Sequence, residues 1–122
     1  MNRALRLKLT IRLYAGEDLR CFGPGVATLL RRVQEHRSLR AAAASMEMAY
    51  SKAWRIIRTA ESVFGCKMLS STIGGPHGGG AVLTPQAEQI LAAYEAYCAD
   101  LEAYSQKKFE TAFSFYHDLD RS

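Results

Sequence analysis

A chain of 122 residues, 48% hydrophobic and 23% charged, has the size and composition of one globular domain with its own core; it holds no apolar run near the roughly 18 residues of a membrane span, and its start, "MNRALRLKLTIRLYAG", alternates charge with hydrophobicity where a signal peptide would be continuous, so a single cytoplasmic domain without a membrane partner is expected. Cys21, Cys66 and Cys98 are far apart and His36, His77 and His117 are dispersed, a pattern that supplies no metal-ligand spacing, disulfide framework, cofactor motif or catalytic constellation, so no enzyme is expected. The net charge of +4 divides unevenly: residues 1–67 carry 13 Lys/Arg against 5 Asp/Glu, residues 68–122 carry 3 against 7, and positive charge gathered on one half of a small domain is the footprint of a polyanion-binding surface.

"LRLKLTIRL" sets Leu5, Leu7, Leu9, Ile11 and Leu13 against Arg6, Lys8, Thr10 and Arg12 in strict alternation, which predicts a strand with one buried face. With "AGED" as a turn and "LRCF" returning, the reading is an N-terminal β-hairpin over 5–22. Pro24 suits a first helical turn, and Val26, Leu29, Leu30 and Val33 share one face of the helix that follows. Ser38 is a candidate N-cap for "LRAAAASM", whose alanines permit close approach of a neighbour.

After a turn around Met46 to Ala49, "YSKAWRIIRTAESVF" predicts a third helix with Ala53, Ile57, Ala60 and Phe64 inward and Gly65 as its stop. The three helices form a unit over 24–64. "CKMLSS" and "AVLT" then read as two paired strands, 66–84, on either side of a stretch with five glycines in seven positions. A nucleotide-binding loop would need the Lys of G-x-x-x-x-G-K-[ST] and a helix directly after its first strand; both are missing. Thr84 can cap, and Pro85 begin, a last helix over 85–115, with Ala87, Ile90, Tyr94, Tyr97, Leu101 and Tyr104 in a heptad-like seam. That seam packs either on the chain's own core or on a second copy. Its length favours a homodimer through Ile90, Tyr94, Tyr97, Leu101 and Tyr104. The final residues are expected to fray.

Strands, three helices and a long-tipped hairpin, in that order, predict a mainly α fold with small β: a winged helix-turn-helix with an N-terminal β-hairpin and a long C-terminal dimerisation helix, one domain over 1–122. In that arrangement the third helix occupies the DNA major groove and the hairpin tip touches the flanking backbone or minor groove.

"SLRAAAASMEMAYSKAWRIIRTAE" followed by "IGGPHGGGAVLT" resembles the DNA-binding domain of ModE-type, molybdate-responsive regulators and, more distantly, LysR-type regulators. Ser38, Ala42, Ala43, Tyr50, Ala53, Trp54, Gly74, Gly75, Gly78 to Gly80, Ala81, Leu83 and Thr84 match the family pattern, over about residues 22–101. Ser71 stands where the family has Arg, Pro76 and His77 replace a basic wing residue, and Ala87 replaces a glycine, so the wing has lost charge. The resemblance implies a dimeric regulator on a partly palindromic operator. The family's molybdate-binding part would begin about where this sequence ends, so a stand-alone DNA-binding domain without oxyanion sensing is expected.

The first turns of a recognition helix meet base edges, which selects Ser51, Lys52 and Arg55, with Arg55 suited to guanine and Lys52 to phosphate. Tyr50 has two readings, a phosphate hydrogen bond or helix-start packing, and Trp54 is assigned to packing. Ser38 and Arg40 begin the preceding helix and can hold a phosphate; Arg58 reaches toward the backbone; Gly75, His77, Gly78 and Gly79 form the wing tip. Arg31, Arg32 and Arg37 have no assigned role. Two other readings stand beside double-stranded DNA as the partner: a winged helix serving protein–protein contacts, and the DNA-binding half of a two-protein metal-oxyanion-responsive regulator.

Overall fold

The computed structural model describes residues 3–72 and 80–119; Gly75, His77, Gly78 and Gly79 of the expected wing tip lie outside the described residues. The fold is a winged helix-turn-helix. Its elements run β1 (Leu13–Ala15), β2 (Leu19–Phe22), α1 (Pro24–His36), α2 (Leu39–Ser45), α3 (Tyr50–Phe64), β3 (Leu69–Thr72), β4 (Gly80–Leu83) and α4 (Pro85–Ala112), followed by a 3₁₀ turn at Ser114–Asp118. Among the described residues no helix is long and apolar enough to cross a membrane.

The N-terminal hairpin is shorter than its alternation predicts. Pairing is limited to Leu13–Ala15 against Leu19–Phe22, and residues 3–12 join no strand. The reason is the length of the return: β2 ends at Phe22, and α1 begins at Pro24, so nothing remains to pair with residues before Leu13. Side-chain alternation nevertheless holds from Leu7 onward, with Leu7, Leu9, Ile11 and Leu13 half-buried and Lys8, Thr10 and Arg12 exposed, whereas Leu5, expected on the buried face, is exposed. The segment runs along α4 instead: the Tyr94 hydroxyl donates to the Ile11 carbonyl at 2.7 Å and the Tyr116 hydroxyl to the Arg3 carbonyl at 2.7 Å. The second of these bonds involves the 3₁₀ turn, where fraying was expected.

Helix boundaries follow local chemistry. The Ser38 hydroxyl accepts from the Ala41 N–H at 3.0 Å and Thr84 does the same for Ala87 at 3.1 Å, each satisfying one orphan donor of a helix start. Thr84 also donates to the Lys67 carbonyl at 2.6 Å, tying the start of α4 to the start of the wing. Gly65 ends α3 at φ 69, where a residue without Cβ carries no steric cost.

Phe22, Leu29, Leu30, Val33, Ile57, Met68 and Leu91 are fully buried at the junction of α1, α3, the wing and α4, and each such side chain stabilises the fold by about 1.5–3 kcal/mol relative to exposure. Ala42 and Ala43 are buried as well, so the alanine run does bring α2 close to its neighbours. On α4 the buried residues are Ala87, Leu91 and Tyr94, with Cys98 packed beside them. That stripe is rotated from the seam read in the sequence. Tyr94 belongs to the chain's own core, its ring 5.0 Å from Phe22, and burial, then the neighbouring Cys98, pushes its phenol up to about 12. Ile90 and Leu101 are half-buried, whereas Tyr97 and Tyr104 are 55% and 60% exposed.

Candidate nucleic-acid interface

The helical repeat of 100° per residue divides the outer surface of α3. Ala53, Ile57 and Ala60 point into the core; Ser51, Arg55 and Ser62 lie opposite and are exposed. Between them run two flanks, Tyr50–Trp54–Arg58 on one side and Lys52–Ile56–Thr59 on the other.

The first flank carries a stack that crosses from α2 to α3. The Arg40 guanidinium lies 4.1 Å from the Tyr50 ring centroid, Tyr50 meets Trp54 edge-on at 6.3 Å, and the Arg58 guanidinium sits 5.5 Å from the Trp54 ring. Each cation over an aromatic face contributes about 0.5–1 kcal/mol at an exposed site. More usefully, the rings hold two long side chains in place, so less rotamer entropy is lost when a guanidinium meets an anion. Tyr50 thus serves as a platform for Arg40, and Trp54 does two jobs, packing on the core and supporting Arg58.

Ser38, Arg40, Tyr50 and Trp54 line one groove of about 420 Å³ whose other wall is the wing strand pair, with Ser70, Ser71 and Gly80. Ser51, Arg55 and Arg58 open onto the outer face beside it. The wing base is fixed there by backbone: the Ala81 N–H donates to the Arg37 carbonyl at 3.0 Å and the Gly80 N–H to the Thr72 hydroxyl at 2.8 Å. A Cβ on Gly80 would collide with that same carbonyl oxygen, so glycine is needed here for close approach. Ser70 is not visible in the sequence because its place across the groove from Tyr50 arises only when the wing base docks on the Arg37 carbonyl.

Among the described residues the one ion pair is Arg31 with Glu95. Arg40, Lys52, Arg55 and Arg58 are exposed and have no carboxylate partner there, so the outer face of α3 is positive; Glu61, the one carboxylate on that helix, accepts from the Met68 N–H. Of the unassigned arginines, Arg31 and Arg32 tie elements together through their side chains and Arg37 acts through its backbone. Arg31 donates to both Glu95 oxygens, with Nε at 3.0 Å, and clamps α1 to α4; its hydrogen bond holds the Glu95 carboxyl below the ordinary carboxylate range. Arg32 donates to the Ser45 hydroxyl at 2.9 Å and joins α1 to α2. Arg37 caps α1 in the left-handed region, φ 56.

The dimer residues expected on α4 line none of these grooves. Ile90, Tyr94 and Tyr97 line an apolar groove of about 370 Å³ with Leu13 and Phe64; Leu101 and Tyr104 extend the same side of the helix by one and two further turns.

Residues 27–88, half of the chain, match the family described as bacterial regulatory helix-turn-helix protein, lysR family. The chain is 31% identical over 93 residues to the molybdenum-pterin-binding protein MopB of Rhodobacter capsulatus, covering 66% of this chain and 34% of that protein. It is 31% identical over 72 residues to the transcriptional regulator ModE of Haemophilus influenzae, covering 59% of this chain and 28% of that protein. The chain spans about a third of the length of these relatives.

Proposed function

The chain belongs to the lysR family of bacterial regulatory helix-turn-helix proteins, and from that premise we propose that it is a sequence-specific regulator of transcription that binds double-stranded DNA as a homodimer on a partly palindromic operator. In this reading α3 enters the major groove with Ser51 and Arg55 toward base edges, Arg55 being the side chain suited to a bidentate guanine contact. Ser38, Arg40, Arg58 and the wing meet the sugar-phosphate backbone, and Lys52 adds a phosphate contact. The second copy packs on the α4 side through Ile90, Tyr97, Leu101 and Tyr104, with Tyr94 beneath them. Catalysis and a cofactor form no part of the proposal.

The single observation that carries it is the run of exposed cations on α3 and the start of α2, two of them held on aromatic platforms and none paired with a carboxylate among the described residues. A face built for protein contact would be apolar at its centre and depleted of charge.

The test is titration of the chain against a duplex selected from a random pool and against a random duplex, at several salt concentrations. Affinity should fall linearly in log–log form with salt on both, and the selected duplex should bind more tightly. Arg55→Ala should remove about 1–3 kcal/mol of that preference. Binding that ignores salt, or no preference for any selected duplex, would contradict the proposal.

A further inference from the structure

The wing side of α3 is one of two flanks, and the other carries its own cations. Lys52 and Thr59 on that flank share a cleft of about 440 Å³ with Arg20 of β2, over a floor that includes Val26, Met48 and Ile56. Arg55 stands at the cleft's outer rim, between the two flanks. We infer that the β1–β2 hairpin is a second backbone-reading edge, in which Arg20, with Lys52 across the cleft, holds a phosphate of the DNA strand on the side of α3 opposite the wing. The inference deepens the DNA reading above and rests on it.

Geometry requires two edges. A helix with its side chains is about 10–12 Å across and the major groove about 12 Å wide. A helix seated in that groove therefore has a sugar-phosphate backbone against each flank. Ser38, Arg40, Ser70 and Ser71 serve the wing side; on the other side the structure offers Arg20 and Lys52.

Arg20 suits the role. It is exposed, it has no carboxylate partner among the described residues, and its contact is the Tyr14 ring, 6.0 Å from the guanidinium and directly across the ladder. The strand beneath it is rigidly placed: Phe22, two residues on, is fully buried, 6.1 Å from the Phe64 ring and 5.0 Å from Tyr94. Thus the backbone that carries the hairpin's one cation is placed relative to α3 before any ligand arrives. The apolar floor lowers the local dielectric and strengthens the cleft's attraction for an anion. Glu17 and Asp18 occupy the hairpin turn, so a phosphate approaches the Arg20 face and not the tip.

The experiment compares Arg20→Ala, Arg20→Lys and Arg55→Ala in the full chain, titrated against the selected and random duplexes across a salt series, with ethylation interference on the selected duplex. Arg20→Ala should weaken both duplexes by the same factor and reduce the salt slope by about 0.9, the increment of one phosphate contact. One phosphate opposite the wing side should lose its interference signal, and Arg20→Lys should restore both readouts. Matching thermal unfolding of Arg20→Ala and the parent chain would tie the loss to the contact itself. Wild-type affinity and slope in Arg20→Ala, while Arg55→Ala remains impaired, would overturn the hairpin contact and leave the DNA reading standing. A parent chain whose binding ignores salt would overturn both.

Discussion

The Tyr50–Trp54 pair of α3 and the exposed tyrosines of α4 lie in different electrostatic settings. On α3, Tyr50 and Trp54 sit beneath Arg40 and Arg58, so their rings are covered by cations and the surface presented outward is positive. On α4, Tyr97 is 55% exposed beside an apolar groove, and Tyr104 is 60% exposed with Lys108 5.5 Å from its ring; Glu88, Glu95, Asp100, Glu102 and Glu110 make this helix net negative. Tyrosine is a platform for charge at Tyr50 and, under Lys108, at Tyr104, and an open apolar contact at Tyr97. Neighbouring side chains, not aromaticity, separate a surface fit for phosphate from one fit for protein.

The largest expected effect separates the two stripes of α4. Leu91→Ala should cost about 2–5 kcal/mol in chemical denaturation, since it opens a cavity in the shared core. Tyr104→Ala should leave thermal unfolding of the monomer nearly unchanged and weaken self-association in sedimentation equilibrium. Equal effects of the two on folding would merge the stripes into one core face. On the α3 side, Gly80→Ala should cost about 1–3 kcal/mol of stability through the clash with the Arg37 carbonyl. It should also weaken DNA binding by displacing the wing, which a gel-shift titration reads directly.

Smaller changes sharpen the contrast. Tyr50→Phe keeps the ring under Arg40 and should bind DNA nearly as well as the parent, whereas Tyr50→Leu should lose about 0.5–1 kcal/mol of binding with the platform. If Tyr50→Phe loses as much as Tyr50→Leu, the hydroxyl is the working group. The smallest effect concerns the clamp between the two regions: Glu95→Gln should cost about 0.2–1 kcal/mol, the range for a half-exposed bidentate pair. Because Arg31 holds the Glu95 carboxyl below its ordinary value, the contribution is present above the unfolded carboxylate pKa of about 4.3 and is lost as pH falls through the lower folded value. The stability gap between Glu95→Gln and the parent should therefore stay constant near neutrality and close in acid.

Features set by neighbours in the chain are legible in the sequence alone. Ser38, Gly65 and Thr84 mark helix ends because capping needs only a few adjacent residues, and Ala53, Ile57 and Ala60 of the inward set follow from one period, whereas Phe64, expected with them in the last turn, is exposed. Features that depend on what the chain meets elsewhere are not legible in this way. The run from Leu5 to Leu13 alternates as a strand should, yet alternation says nothing about whether a partner is long enough to pair. The seam on α4 is displaced because Leu91 and Cys98 fill the core while Tyr97 and Tyr104 do not, and heptad spacing alone does not fix rotation about the helix axis. Tyr50, Trp54 and Arg58 are visible at steps of four; that Arg40 completes their stack, and that Arg20 reaches the far flank of α3, depends on packing between elements.

Amide chemical-shift mapping on addition of a duplex tests the division of surfaces most directly. Perturbations should appear at Ser38 to Arg40, at Tyr50 to Thr59, at Ser70 and Ser71, and at Arg20, with Tyr97 to Tyr104 unmoved at constant dimer population. Perturbations gathered on α4, or none on α3, would contradict that division.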